Sequence, residues 1–117
     1  MRMLNFYCFP AWSTCRKAKA WLSDQQAEYE YRDILKQPLE AAELKELAAV
    51  GGVTVKALVN PKSTGFKAMN LDLSNIDDEE AAKLINENPK IMIRPLLSDG
   101  KKISIGFNTD RFAGVVK

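Results

Sequence analysis

The chain has 117 residues, of which 46% are hydrophobic and 27% charged, with 17 basic and 15 acidic residues and a net charge of +2. This length and composition are typical of a single globular domain, here residues 1–117, and no apolar run reaches the roughly 18 residues that a membrane-spanning helix needs. Because no such apolar run is present, we expect no membrane partner. Because basic and acidic residues are interspersed, we expect no direct nucleic-acid binding.

The N-terminal part predicts a strand, a helix and a second strand. Leu4–Phe9 is short and rich in aromatic residues and is followed by Pro10, which is typical of a strand. The apolar residues after it recur at helical spacing: Cys15, Ala18, Trp21 and Leu22. Ser13 or Thr14 can cap this helix. Glu28–Ile34 alternates with period two and predicts a strand parallel to the first, because a helix connects them.

The chain opens directly on this pattern, without a long apolar stretch or a small-residue cleavage site, so we expect a cytoplasmic protein.

The middle of the chain, about residues 36–89, is predicted to be a helical insertion. Its predicted segments are a helix that starts at Pro38 and stops at Gly51-Gly52, a short helix over Val53–Val59, a turn of helix around Phe66, Met69 and Leu71, and a helix from Asp77 that ends before Pro89. Asp77 and Glu80 form a capping-box pattern at the start of the last helix.

Two strands and a helix follow the insertion. They are a strand from Ile91–Ile93 toward Leu97, a strand over Lys102–Ile105, and a short helix that contains Phe112 and is capped by Asn108 or Thr109. Asp99-Gly100 is a strong signal for a hairpin between the two strands. The order β-α-β, helical insertion, β-hairpin, α predicts an α/β protein with a thioredoxin-like fold.

Pro95 is consistent with this fold. A proline in a strand removes a hydrogen-bond donor and needs a local reason. In thioredoxin-like folds that reason is a cis-proline beside the reactive thiol. The alternative is a simple edge-strand proline.

The candidate reactive group is Cys15. The chain has no histidine and two cysteines, which excludes a structural zinc site of about four Cys or His ligands and Ser-His-Asp or Cys-His catalysis. A cysteine in the first turn of a helix lies near unpaired N–H groups and the positive end of the helix dipole, which favour the thiolate, and Arg16 and Lys17 add positive charge. Alternatively, Cys15 is a small buried hydrophobic residue on the stripe that it shares with Ala18 and Leu22. The spacing alone does not choose between the two.

The second cysteine and the two tryptophans are also predicted from their positions. Cys8 lies within a strand and is expected in the core. The tight turn permits a Cys8–Cys15 bridge, but a reducing cytosol disfavours it. Trp21 is expected in the core. Trp12, in the turn before the helix, either closes a pocket, contacts a partner or folds back on the helix end.

Three segments carry a family resemblance. Residues 6–22, which read Phe-Tyr-Cys-Phe-Pro-Ala-Trp-Ser-Thr-Cys-Arg-Lys-Ala-Lys-Ala-Trp-Leu, resemble the signature of the arsenate reductase/Spx family. Arg94-Pro95-Leu96-Leu97 and Ile105-Gly106-Phe107-Asn108 resemble its later segments. The resemblance spans essentially the whole chain and is closer to the reductase-like branch.

The resemblance implies a Cys-x-x-Cys pair at positions 12 and 15, with the first cysteine as the nucleophile. Trp12 occupies that position, so the usual nucleophile is missing. Arg16 and Arg94 match arginines of the family's anion site, whereas Asn60 stands near the place of a further reductase arginine.

The implied function is that of an arsenate reductase-like thiol oxidoreductase with weak or degenerate activity. The implied catalytic thiol is Cys15, Arg16 and Arg94 stabilise the thiolate or a bound anion, and the site is shaped by Trp12, Ser13, Thr14 and Pro95. No bound cofactor or metal is expected. The substrate would be a small oxyanion or a thiol, and glutathione or glutaredoxin would be the external reductant.

Two alternatives remain. The first is an Spx-like transcriptional regulator that binds the RNA polymerase α subunit, with a glycine near Gly51 or Gly52 in the contact. In that case the redox switch between residues 12 and 15 is lost. The second is a catalytically silent relative that keeps the fold for another binding role.

Overall fold

The computed structural model describes residues 4–9 and 13–116. Its strands and α-helices are β1 (Leu4–Cys8), α1 (Ser13–Asp24), β2 (Tyr29–Asp33), α2 (Ala41–Gly51), α3 (Thr64–Ala68), α4 (Asp78–Glu87), β3 (Leu96–Ser98), β4 (Ile103–Ile105) and α5 (Thr109–Val116). Short 3₁₀ helices lie at Val55–Leu58, Leu73–Asn75 and Pro89–Ile91. The described residues form two compact units. The first contains the residues up to Ile34 together with those from Arg94 onward, and the second contains Leu35–Ile93.

The first unit is built on a four-stranded sheet in the order β2-β1-β3-β4. β1 runs parallel to β2, with Leu4 opposite Tyr29 and Cys8 opposite Asp33, and antiparallel to β3. β3 and β4 form an antiparallel hairpin. The parallel pair and the hairpin that the sequence predicts are therefore confirmed.

One apolar cluster fills this unit. It consists of Leu4, Phe6, Cys8, Cys15, Ala18, Leu22, Leu97, Phe112 and Val115, all buried. The alternating residues of β1 and the helical stripe of α1 meet in it, because a strand with period two and a helix with period 3.6 each turn one apolar face inward. Trp21 packs on the cluster with its ring centroid 5.8 Å from that of Phe112, which confirms its predicted place in the core.

The start of α1 differs from the prediction in one respect. Ser13 and Thr14 are the first two residues of the helix, whereas the prediction placed one of them directly before it. Neither therefore occupies the capping position that the sequence suggested, since an N-cap residue precedes the first helical residue.

The segment before β3 does not form the predicted strand. Ile91 lies in a 3₁₀ helix, and Ile93 donates its N–H to the carbonyl oxygen of Leu58 at 2.8 Å. Since these backbone groups pair with the segment around Leu58, they are not available to the sheet. The strand begins only at Leu96.

Pro95 lies directly before β3, and the Arg94–Pro95 peptide bond is cis. This confirms the predicted cis-proline over the edge-strand alternative. The carbonyl oxygen of Pro95 accepts the N–H of Gly106 at 2.9 Å. Gly106 has φ of 83°, a conformation that glycine adopts without strain. The hydrogen bond ties the segment before β3 to the end of β4.

The second unit contains α2, α3, α4 and the 3₁₀ helices. The prediction that its first helix starts at Pro38 is wrong, since α2 starts at Ala41. Glu40 is the N-cap, and its N–H donates to the Glu43 carboxylate at 3.1 Å in a capping box. This pair supplies partners for the free N–H groups of the first turn and so sets the start of the helix. Gly52, with φ of 66°, ends the helix as predicted.

The helices α3 and α4 begin at side-chain caps. The Asp77 carboxylate accepts the N–H of Glu80 at 2.9 Å, which confirms the predicted start of α4. Ser63 caps α3 in the same way, and Thr54 caps the 3₁₀ helix Val55–Leu58. No helix in the described part of the chain is long and apolar enough to cross a membrane.

A buried thiol cluster as the candidate active site

The two cysteines meet where β1 ends and α1 begins. Cys8 is the last residue of β1 and Cys15 is the third residue of α1. Both are free thiols and both are fully buried. Each shifts the pKa of the other, so the two sulfurs lie close together. The expectation that Cys8 lies in the core is confirmed, and Cys15 joins it there.

The surroundings of Cys15 favour its thiolate. The hydrogen bond from Cys8 makes the largest contribution and lowers the pKa of Cys15 to about 7, although burial acts in the opposite direction. The Tyr31 hydroxyl, the charge of Lys19 and the backbone N–H of Phe9 lower the pKa further. Hydrogen-bond donors and positive charges favour an anion, whereas loss of water disfavours it. At neutral pH a large share of Cys15 therefore carries a negative charge.

Cys8 shows the opposite shift. The hydrogen bond to Cys15, followed by burial and by the charge of Cys15, raises the pKa of Cys8 far above its usual value. Two adjacent thiols that share a hydrogen bond keep one proton between them, because a second negative charge at that distance is strongly unfavourable. The pair therefore loses its first proton from Cys15, and the remaining proton stays on Cys8.

Tyr31 contributes from the neighbouring strand. It lies on β2 opposite Phe6, and its hydroxyl oxygen is buried without a hydrogen bond of ordinary geometry among the described residues. The hydroxyl interacts with the Cys15 sulfur, and this interaction contributes to the pKa of Tyr31. Burial, followed by the charge of Cys15, raises the pKa of Tyr31, so the hydroxyl stays protonated and can act as a donor.

Two cations accompany the thiols. The Lys19 Nζ lies 3.7 Å from the centroid of the Tyr31 ring, one helical turn after Cys15. The guanidinium carbon of Arg94 lies 4.6 Å from the centroid of the Phe9 ring. Burial lowers the pKa of Arg94, while the charges of the two cysteines raise it. Arginine remains a cation under all ordinary conditions, so Arg94 places a positive charge within electrostatic reach of both thiols.

The comparisons with known proteins identify the family. The profile of the ArsC family matches residues 7–115. The chain belongs to the ArsC family. It is 32% identical over 108 residues to the global transcriptional regulator Spx of Enterococcus faecalis, which covers 92% of this chain and 82% of that protein.

Solved structures of the ArsC family share the architecture. An ArsC family related protein from Bacteroides fragilis superposes with a TM-score of 0.87 at 31% identity, over 98% of each chain. Arsenate reductase from Vibrio cholerae superposes with a TM-score of 0.87 at 23% identity, over 97% of this chain and 98% of that one, a likeness of fold. The predicted α/β thioredoxin-like fold is confirmed.

The described residues of the predicted site all lie in the unit that holds the two thiols, and they differ in exposure. They are Ser13, Thr14, Cys15, Arg16, Arg94 and Pro95. Arg16 is exposed, as is Ser13, whereas Thr14 is half-buried. The charge of Lys19, which the sequence analysis did not single out, lowers the pKa of Cys15. Lys17, like Arg16, lies at an exposed position of the same helix. The predicted position of Trp12 lies outside the described residues.

Sequence reasoning missed Lys19 and Tyr31. Lys19 could have been found, because a residue four positions after Cys15 lies on the same helix face. Tyr31 carries no such signal, since its place depends on the register between β1 and β2. Among the described residues, no group of three or more His, Cys, Asp or Glu side chains could hold a metal ion.

Proposed function

We propose that this ArsC family protein is a thiol oxidoreductase that works through Cys15, with a degenerate arsenate reductase-type site. The observation that carries the proposal is the thiolate-stabilising environment of Cys15, in which a thiol, a hydroxyl, a lysine and a backbone N–H all favour the anion. The thiolate is the reactive form of cysteine, and such environments are characteristic of reactive thiols.

The proposed reaction is a thiol exchange. The Cys15 thiolate attacks one sulfur of a disulfide substrate, which forms a mixed disulfide with Cys15 and releases the other sulfur as a thiolate. A thiolate of glutathione or glutaredoxin then attacks the mixed disulfide, takes over the substrate sulfur and restores the Cys15 thiolate. Arg94 and Lys19 supply the positive charge that a thiolate or a small oxyanion needs.

Arsenate turnover is expected to be weak or absent. In the family resemblance the nucleophile stands at position 12, and this chain has Trp12 there. Attack must therefore begin at Cys15, which is fully buried and needs local opening before it meets a substrate. A reducing compartment, the cytoplasm, is the setting that we propose for this chemistry.

The test is the rate of alkylation of the folded protein by iodoacetamide as a function of pH. We expect modification of Cys15 with an inflection near pH 7, where the thiolate forms, instead of about 8.5 for a free cysteine. One pH unit below the inflection the rate should be about tenfold lower than on the plateau. Cys15→Ser should abolish this reaction, and burial, which raises the pKa of Cys8, keeps the remaining thiol from replacing it near pH 7. Labelling that requires unfolding would refute the proposal.

A second candidate is an Spx-like regulator that binds the RNA polymerase α subunit. The similarity to the Enterococcus faecalis Spx protein over 108 residues favours it. Gly52 stands at the exposed end of α2, and a Cβ built there has open space around it. This position is compatible with a contact to a partner surface. A catalytically silent relative with another binding role is the remaining alternative.

A further inference from the structure

We propose that Cys8 is the resolving thiol of Cys15, so that oxidation by a hydroperoxide closes an intramolecular Cys8–Cys15 disulfide. The proposal rests on the proposed function, because it requires a reactive Cys15. Trp12 cannot form a disulfide with Cys15, because it has no thiol. Cys8 supplies the thiol that is missing at position 12.

The placement of the two side chains carries the proposal. A disulfide requires two cysteines whose Cα atoms lie within about 7 Å and whose side chains point toward each other. Cys8 ends β1 and Cys15 lies in the first turn of α1, and both are fully buried in the same apolar cluster. Each also shifts the pKa of the other, which places the two sulfurs close together. They are also the two cysteines of the whole sequence, so no other thiol of the chain competes for Cys15.

The first step consumes the peroxide. The Cys15 thiolate attacks one oxygen of the hydroperoxide, the O–O bond breaks, and an alcohol or water leaves after it has taken up a proton. Cys15 becomes a sulfenic acid. One electron pair has passed from the sulfur to the peroxide.

The second step closes the bridge. Cys8 attacks the sulfur of the Cys15 sulfenic acid, the S–S bond forms, and the S–O bond breaks. The proton of Cys8 leaves with the hydroxide as water. In total, two thiols lose two hydrogen atoms and the peroxide is reduced by two electrons.

The electrostatics suit this order of events. While Cys15 is an anion, its charge and the shared hydrogen bond hold the proton on Cys8. Sulfenic acid formation removes that negative charge and with it one cause of the raised pKa of Cys8, while burial continues to raise it. Two groups that favour a Cys8 thiolate then remain, the backbone N–H of Phe9 and the charge of Arg94. Oxidation of Cys15 therefore prepares Cys8 for attack.

The experiment compares the whole protein with two variants. Reduced wild-type protein, Cys8→Ser and Cys15→Ser are treated in the folded state with hydrogen peroxide in the presence of dimedone, which traps sulfenic acids. They are then analysed by intact mass and by peptide mapping. Serine keeps a hydrogen-bond donor of similar size at position 8, so Cys8→Ser tests the sulfur itself. We expect the wild type to lose two hydrogen atoms without a dimedone adduct, Cys8→Ser to carry the adduct on Cys15, and Cys15→Ser to keep Cys8 as a thiol.

Two results would overturn the proposal in different ways. Equal dimedone labelling of Cys15 in the wild type and in Cys8→Ser, or disulfide-linked dimers in place of the internal bridge, would refute the role of Cys8 and leave the reactive Cys15 intact. No reaction with peroxide in any of the three proteins would refute this proposal, whereas the proposed function fails only if Cys15 also resists alkylation in the folded protein. Recovery of both thiols after dithiothreitol treatment of the oxidised wild type should accompany the expected result.

Discussion

The charge on Cys15 depends on residues that come from different elements of the chain. Cys8 ends β1, Tyr31 lies on β2, and Lys19 follows Cys15 by one turn of α1. Each supplies a donor or a positive charge to the same sulfur. Because the sulfur is buried, water does not replace a contribution that is lost, and each of these residues should have a measurable effect on reactivity.

Removal of the Lys19 charge should reduce the reactivity of Cys15 at neutral pH. In Lys19→Met the anion loses a nearby cation, so the pKa of Cys15 rises and less of it is a thiolate at pH 7. We expect the alkylation rate at pH 7 to fall about two- to threefold. The rate on the alkaline plateau should change little.

Lys17→Met is the matched control for this substitution. It removes the same charge from the same helix at an exposed position, where water and salt screen it. Its alkylation profile should coincide with that of the wild type. Equal effects of the two substitutions would mean that the net charge of α1, and not Lys19, sets the reactivity of Cys15.

At the scale of elements, the bounds of a helix or strand were predictable where the contacts that set them lie close together in the sequence. The start of α4 was predictable, because Asp77 caps a helix whose Glu80 lies three residues away. The strand proposed over Ile91–Ile93 was wrong, because the backbone partner of Ile93 is Leu58, which lies far away in the sequence. A run of apolar residues indicates burial, but it does not indicate which backbone will take up the hydrogen bonds.

Two glycines allow a test of the stability of individual elements. Gly114 lies inside α5, is exposed and has open space where a Cβ would stand, so Gly114→Ala should raise the free energy of unfolding by about 0.5–1 kcal/mol. Gly100 in the β3–β4 turn also has open space, but its φ is 90°. Gly100→Ala should therefore lower the free energy of unfolding by about 1 kcal/mol or more. Urea unfolding measures both, and equal signs for the two variants would contradict the backbone argument.

At the scale of the whole molecule, the sequence identified the fold and part of the site. The helix-start cysteine and the Arg94-Pro95 segment are short local patterns, and the structure places them in one unit. The contribution of Tyr31 required the register of two strands. The sequence permitted a Cys8–Cys15 contact but did not establish it, because the contact depends on how β1 and α1 pack in one cluster. The chemistry of the thiol pair therefore emerged only from the folded chain.

The two candidate functions use residues of different compact units, which makes them separable by substitution. Cys15 belongs to the unit with the sheet, and Gly52 belongs to the unit over Leu35–Ile93. Cys15→Ser should abolish alkylation of the folded protein, whereas Gly52→Arg should leave it unchanged. If the protein is an oxidoreductase and not a regulator, the immobilised wild type should retain purified RNA polymerase α subunit no better than Gly52→Arg does.

Gly100→Arg is the control for this comparison, because Gly100 and Gly52 both have a positive φ and open space around them. An arginine at either position therefore carries a similar backbone strain and the same added charge. Retention of the α subunit by the wild type and by Gly100→Arg, with loss in Gly52→Arg, would establish a specific contact at the end of α2. That result would move the regulator ahead of the oxidoreductase, and it would do so even with a reactive Cys15, since the contact and the thiol lie in separate units.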